Sequence, residues 1–568
     1  MIRLLLTVAL VLQSIVATMS GGVTFDRVFA PQDGLICQYE KPARDELCLN
    51  GSWRFQATDD LTLPGETAAT PLAWDKVAIK IPSPWNVNSF SMDLNEVGGD
   101  FRAYPSYPRE WEQAKAAWME KTVSVPKSWA GKRIALNFGA VAGKLAVYVN
   151  GHQVGEGFDI FFAQEFDVTS FIKLGAENQI LVKVISPKVF DQPGKYGRRE
   201  YLSGSFWGTH IAGIWQDVFL VARPEVSVSD VFVQPLVDRD ELVVEATVVN
   251  HSAHAVTMDV SGSIREWINE TGKSPVQIPE VKWSLAKNTS LNLPAQPLTL
   301  QPGETRKVTL NAKVGKLLKL WSPDTPNLYG ALIQIAVNGQ PVDAKYQRFG
   351  WRQFNFAESK LLLNGQPIVL KGDSWHFMGV PEMTRRYAYA WYQLIKDAGG
   401  NAVRLHASVY PSFFHDMADE MGMMVLDESA IWLSDGGPKA DSDVFWNNCR
   451  EHIEKLVLRD RNHPSVFGWS ICNEILPVMQ NVWHMPPNMV DHGLDQFSIW
   501  KNLCLTNDPT RPWISGDGEW DAEGRLPTIN IHYGGDGELQ RAANSGKPWG
   551  RRRNEHGLLR HAETGIQI

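Results

Sequence analysis

The chain has 568 residues, 44% of them hydrophobic and 21% charged, with a formal net charge of −8 at neutral pH. That length exceeds what one hydrophobic core organises and fits about three or four domains. The acidic balance gives no basic footprint for nucleic acid, and beyond the first segment no stretch is long and apolar enough to span a bilayer as a helix.

Residues 1–20, M-I-R-L-L-L-T-V-A-L-V-L-Q-S-I-V-A-T-M-S, carry a basic residue at Arg3, an apolar centre and small residues towards Ser20. This reads as a secretory signal peptide, and the expectation is export to a secreted or periplasmic location. Of the five cysteines, Cys37 and Cys48 are close enough in sequence to pair. Cys449, Cys472 and Cys504 lack metal-ligand spacing and read as small buried hydrophobes. The 22 tryptophans are read mostly as core and interface anchors, with some available for stacking on a sugar face.

From about residue 21 to 224 the texture is all-β. Short alternating runs such as Arg133–Phe138 and Leu145–Val149 are punctuated by Asn150-Gly151, a two-residue hairpin signal. The economical fold is a sandwich of the jelly-roll kind. A segment rich in aromatic and small residues, from Pro193 to Trp215 and including Tyr196, Tyr201, Phe206 and Trp207, either packs on itself or reaches towards a neighbouring domain. Residues 225–348 repeat the short β pattern, for example at Leu242–Val249 and Leu332–Val337, at a length that suits an immunoglobulin-like sandwich. This second domain is read as a spacer without catalytic residues.

At residue 349 the pattern changes to strands alternating with amphipathic helices, the signature of a (β/α)8 barrel, here incomplete. Strands are expected at Ile368–Lys371, Ala402–Leu405, Met423–Leu426, Val466–Ile471, Trp513–Ser515 and Thr528–Ile531. Helices are expected at Glu382–Asp397, Pro411–Met421 and Ser442–Leu458, with glycine stops at Gly399-Gly400 and Gly422. The run Val466–Ile475 reads V-F-G-W-S-I-C-N-E-I and passes from apolar residues directly to Asn473-Glu474. A continuous apolar run suits a strand buried on both faces, which delivers its last residues to the C-terminal rim where barrel active sites are built. Polar residues recur at the ends of expected strands: Asp373, Trp375 and His376; Arg404 and His406; Asp427 and Glu428; Asn473 and Glu474; His532 and Tyr533.

The segment H-P-S-V-F-G-W-S-I-C-N-E resembles the acid/base signature of glycoside hydrolase family 2, the family of β-galactosidases, β-glucuronidases and β-mannosidases. The resemblance continues upstream, in L-N-G-S-W-R-F at Leu49, W-M-E-K-T-V-S-V-P at Trp118, V-Y-V-N-G-H-Q-V-G at Val147, F-D-V-T at Phe166 and G-I-W-Q-D-V-F-L at Gly213, and in W-S-P-D-T-P-N-L-Y at Trp321. It covers nearly all of the chain from the end of the leader to Trp549. It implies a jelly-roll sugar-binding domain, an immunoglobulin-like domain and a catalytic barrel, needing no metal and no cofactor. By the same resemblance Glu474 is the general acid/base, Asn473 bonds the sugar, and Arg404, from G-G-N-A-V-R at Gly399, steadies the nucleophile. Trp375, His376, His406, His532 and Tyr533 complete the expected substrate-binding set. The family pattern after the arginine is departed from, since this chain reads R-L-H-A-S-V-Y-P, so its pocket differs from that of the best-known members.

The implied chemistry is retaining hydrolysis of terminal β-glycosidic bonds, which needs a second carboxyl group. Where the seventh strand is expected to deliver it, the chain reads G-R-R-R-N-E-H-G, and three arginines do not suit a buried parallel strand. Codons can be chosen for Gly550 onward that, read one nucleotide later, give G-V-G-E-T-S-M-A-Y-Y. The expectation is therefore a shift of frame after about Trp549, with the nucleophilic glutamate lost near Arg553, a product inactive for that reason, and residues 550–568 out of frame. The rival reading is a non-catalytic carbohydrate-binding protein with a degenerate barrel. A metal hydrolase is disfavoured, because His376, His406 and His532 lack a helix-borne His-x-x-x-His spacing.

Overall fold

In the computed structural model the described residues are 34–65, 73–86, 107–205, 210–271, 282–357, 360–377, 382–433, 437–516, 519, 526, 529–531, 549–551 and 566–567. The Asn150-Gly151 turn forms as the dipeptide demands. Both residues have positive φ, 51° and 88°, and the turn joins Val141–Val149 to His152–Asp159 with Val149 opposite His152. This hairpin belongs to a seven-stranded antiparallel sheet that faces a four-stranded one, the first sandwich. Antiparallel sheets of three and five strands between Val226 and Phe349 make the second.

Buried polar pairs tie the domains together. Arg44 forks onto Asp343 at 2.8 and 2.6 Å with both side chains out of solvent, tying the N-terminal segment to the second sandwich. Asn462, two residues before Pro464, accepts from the Val233 amide at 2.9 Å and donates to the Val231 carbonyl at 2.8 Å, so it continues the second sandwich's hydrogen bonding into the third domain. Among the described residues nine tryptophans, including Trp215, Trp321 and Trp469, are under 2% exposed, which places them in the cores.

The third domain begins with a small antiparallel sheet and continues into a parallel one of five strands: β1 Gly372–Trp375, β2 Ala402–Leu405, β3 Met424–Glu428, β4 Val466–Ser470 and β5 Trp513–Ile514. Helices α1 Arg385–Asp397, α2 Ser412–Met421, α3 Asp443–Asp460 and α4 Pro487–Asn507 lie between them. Thr384 caps α1 by accepting from the Tyr387 amide at 3.1 Å, and Gly422 ends α2 at φ +69°. Period-2 alternation sorts β2, β3 and β5, with Ala402, Met424, Leu426 and Ile514 in the barrel interior and Val403, Leu405, Val425 and Trp513 packed outward with the helices; in β4 a register shift opposite Val425 and Leu426 leaves Phe467 with the interior set and turns Trp469 outward.

Two expectations are corrected. The first strand is Gly372–Trp375 rather than Ile368–Lys371, because only at glycine does the chain pass close enough to β2: a Cβ on Gly372 would lie 2.3 Å from the Ala402 carbonyl oxygen. The apolar Leu370 instead plugs the barrel floor. Trp549–Arg551, where the seventh strand is expected to begin, pairs in parallel with Ile529–Ile531 and with Ile566–Gln567, and the rest of the arginine run lies outside the described residues. Among the described residues no ladder joins this three-stranded sheet to the five-stranded one. Cys37 and Cys48 are free thiols, not a disulfide. No helix among the described residues is long and apolar enough to cross a membrane.

Candidate active site

Alternation within β2 and β3 points Arg404 and Glu428 into the upper barrel, and both are out of solvent, 3% and 0% exposed. Arg404 holds Glu428 by two bonds, Nε to Oε2 at 2.8 Å and Nη2 to Oε1 at 2.7 Å. Glu428 also accepts from the Ala407 amide at 2.7 Å and from Ser470 Oγ, at the end of β4, at 2.6 Å. Desolvating two charges is tolerated only with this degree of pairing.

The same guanidinium donates from Nη2 to Asn473 Oδ1 at 2.5 Å. With its oxygen so engaged, Asn473 turns its Nδ2 to Glu474 Oε2 at 3.2 Å, and its own amide donates to the Ile431 carbonyl at 2.9 Å. Glu474 is half-buried and takes the left-handed conformation, φ 53° and ψ 41°. For a residue with a Cβ this costs about 1–2 kcal/mol. Arg404, Asn473 and Glu474 are thus assembled as one connected group.

The two histidines expected beside them also meet. The His376 and His406 rings lie 3.8 Å apart between centroids, and His406 stands edge-on to Trp432, 6.2 Å away. Their support comes from the first domain. The segment after Pro193 reaches across to the barrel mouth, where Ser205 donates its amide to the Ala407 carbonyl at 2.8 Å and its hydroxyl to the His406 carbonyl at 3.2 Å, and lies 3.3 Å from His376 Nδ1. The Arg198 and Arg199 amides both donate to the Gly437 carbonyl, at 2.7 and 2.8 Å. Tyr196 packs 6.4 Å from Trp483, whereas Phe206 and Trp207 lie outside the described residues.

Trp375 is not part of this group. Because β1 runs to residue 375, Asp373 and Trp375 share its outer face, and the Trp375 indole stands over α1, donating to Glu382 Oε1 at 3.2 Å with its ring 6.3 Å from Trp391. Only its backbone serves the rim: its carbonyl accepts from the His406 amide at 3.1 Å and from the Tyr410 hydroxyl at 2.7 Å. Asp427 likewise points outward, its Oδ1 3.3 Å from His415 Nε2 on α2. His532, Tyr533, Arg553 and Glu555 lie outside the described residues.

Glu519 went unread in the sequence, one of two acids in the stretch G-D-G-E that follows β5. Fully buried behind Glu474, it accepts from the Ile475 amide at Oε1 and from the Leu476 amide at Oε2, the latter at 3.0 Å, with Cys472 Sγ 3.4 Å away. Burial pushes its carboxyl up to about 8 from the ordinary 4.5; the two amides and the thiol oppose that rise and Glu474 adds to it. Burial also pushes the Cys472 thiol well up, which leaves it inert as a nucleophile.

A pH dependence of stability follows. The folded protein keeps a proton on Glu519 that the unfolded chain releases, so this group's contribution is complete below pH 4.5 and is lost as the pH rises through about 8. The slope within that window is at most ~1.4 kcal/mol per pH unit. In Glu519→Gln, which carries no titrating group, that slope is expected to vanish from the urea midpoint measured over the same interval. Parallel curves for variant and wild type would refute it.

The chain matches "Glycosyl hydrolases family 2, sugar binding domain" over residues 47–224, "Glycosyl hydrolases family 2" over 226–352 and "Glycosyl hydrolases family 2, TIM barrel domain" over 354–521. Among curated proteins it is 27% identical over 492 residues to a putative β-glucuronidase of Formosa agariphila, covering 84% of this chain and 40% of that one. It is 26% identical over 465 residues to a β-galactosidase of Priestia megaterium, covering 75% and 41% respectively. The chain therefore spans well under half the length of these relatives. Among solved structures it superposes on a β-glucuronidase of Bacteroides uniformis with a TM-score of 0.68 at 21% identity, over 89% of this chain and 58% of that one. A β-glucuronidase of Ruminococcus gnavus in complex with D-glucuronic acid gives a TM-score of 0.63 at 19% identity, over 92% and 84%. At such identities the likeness speaks for the fold alone.

Proposed function

The chain belongs to glycosyl hydrolase family 2, its three family domains following one another in order, and from that premise we propose that it is a glycosidase that cleaves terminal β-glycosidic bonds of carbohydrates, of the β-galactoside or β-glucuronide kind, with retention of configuration. The observation that carries the proposal is the connected group Arg404–Asn473–Glu474 at the end of β4. It presents a half-buried carboxyl beside an amide whose orientation is fixed from behind.

In this reading Glu474 protonates the glycosidic oxygen as the leaving group departs, while a second carboxylate, about 5–5.5 Å from it in retaining enzymes and supplied by the seventh strand when the frame near Arg553 is restored, attacks the anomeric carbon. Glu474 then takes a proton from the water that hydrolyses the glycosyl-enzyme. Asn473, held by Arg404, donates to a sugar hydroxyl, and His376, His406 and Trp432 line the pocket. Residues 1–20 direct export, so the substrate is met outside the cytoplasm.

The test is a panel of 4-nitrophenyl β-D-glucuronide, β-D-galactoside and β-D-mannoside given to the purified protein, with the anomer first released read by proton NMR. Hydrolysis of one of them to the β-anomer supports the proposal, and release of the α-anomer overturns the retaining mechanism. The arginine run at 551–553 favours a second reading, sugar binding without turnover. Titration heat from a β-glycoside together with no product at stoichiometric protein selects that reading.

A further inference from the structure

We infer that Glu519 is a positioning residue for the acid/base Glu474, clamping the turn that aims its carboxyl; this rests on the catalytic reading of Glu474 above. Glu474 is held in a left-handed conformation that an L-residue leaves readily unless both sides of it are fixed. The side before it is fixed by Asn473, whose amide donates to Ile431 and whose side chain is gripped by Arg404. The side after it is fixed by Glu519 alone among the described side chains: its two oxygens take the two successive amides that follow, Ile475 and Leu476.

Those amides open the helical segment Ile475–Pro477, which runs on into Val478–Val482, and as the first amides of a helix they have no acceptor within it. A carboxyl from the β5 side therefore does for the second flank of Glu474 what Arg404, from the β2 side, does for the first. Glu519 is 0% exposed and faces backbone rather than the barrel mouth, so it acts on the substrate only through Glu474. A further consequence is directional. Loosening this flank displaces the acid while leaving the Arg404–Glu428 pair in place, since no bond connects Glu519 to that pair among the described contacts.

The experiment compares wild type, Glu519→Gln and Glu519→Ala in the full chain, using two substrates and one exchange measurement. An alkyl β-glycoside needs protonation of its leaving group; a 2,4-dinitrophenyl β-glycoside does not. A displaced acid is expected to lower kcat on the alkyl substrate by about 10²-fold in Glu519→Ala, less in the Gln variant, which retains one acceptor oxygen, and by within about twofold on the activated substrate. Hydrogen exchange at the Ile475 and Leu476 amides is expected to quicken by at least about tenfold in the Ala variant. Equal losses on both substrates, or exchange unchanged at both amides, overturn the inference and leave Glu519 a packing residue. If wild type turns over neither substrate, the catalytic reading of Glu474 fails separately, and the exchange rates still decide whether Glu519 holds the turn.

Discussion

Glu474→Gln will lower turnover of an alkyl β-glycoside by ~10²–10⁴-fold, the range that a positioned general acid/base contributes, and will do so without a matching loss of stability. The side chain is half-buried and accepts from Asn473 Nδ2, a bond that the Gln carbonyl oxygen accepts equally. The left-handed backbone is set by the flanking amides rather than by the carboxyl, so the substitution leaves the turn in place. Removing the ionisable proton then affects only the step in which that proton moves. Glycosides with a strongly acidic leaving group need no proton for departure and lose least in the first step. Measuring kcat over a series of leaving groups checks this, and a loss independent of leaving-group acidity would remove Glu474 from the acid role.

Arg404→Met will destabilise the third domain by ~3–5 kcal/mol, the cost of stranding one partner of a buried ion pair. Glu428, out of solvent, keeps the Ala407 amide and the Ser470 hydroxyl, neutral donors that do not compensate a full charge. The double variant Arg404→Met/Glu428→Gln is expected to recover part of the loss, because the charge that lacked a partner is gone. Urea unfolding followed by tryptophan fluorescence reads both, and strict additivity of the two substitutions would show the pair uncoupled. Catalysis is expected to fail in both variants, since Asn473 loses the guanidinium that sets its amide orientation.

The strongest sequence signals were those in which composition and periodicity agree. Asn150-Gly151 specified its turn because few other residues tolerate two successive positive φ angles. The stripes of α1 to α3 and the apolar run at Val466 carried enough hydrophobic period to locate their elements within a few residues. β1 was misplaced by four residues because G-D-S-W has low strand propensity and its pairing is decided by closeness to Ala402, a fact about β2. That shift puts Trp375 within the strand, on its outer face, rather than beyond its end at the rim. Asp427 and Glu428 are adjacent and look equivalent in sequence, yet the strand's alternation sends one to His415 and the other to Arg404. Glu519 and Ser205 were illegible for a common reason: each acts through backbone groups brought near by tertiary structure, 43 and 44 positions away in the first case and 201 in the second.

The Ser205 contacts also bear on the order in which the molecule takes shape. Ser205 meets His376 and His406 at sequence separations of 171 and 201, and closing loops of that length is paid for before any contact within them returns free energy. The two sandwiches and the early βα units form from nearer neighbours, so the pocket is assembled last, when the first domain's arm settles on a barrel already largely built. A fragment beginning at residue 349 would carry Glu474, Asn473 and Arg404 and still lack the hydroxyl that ties the two histidines together.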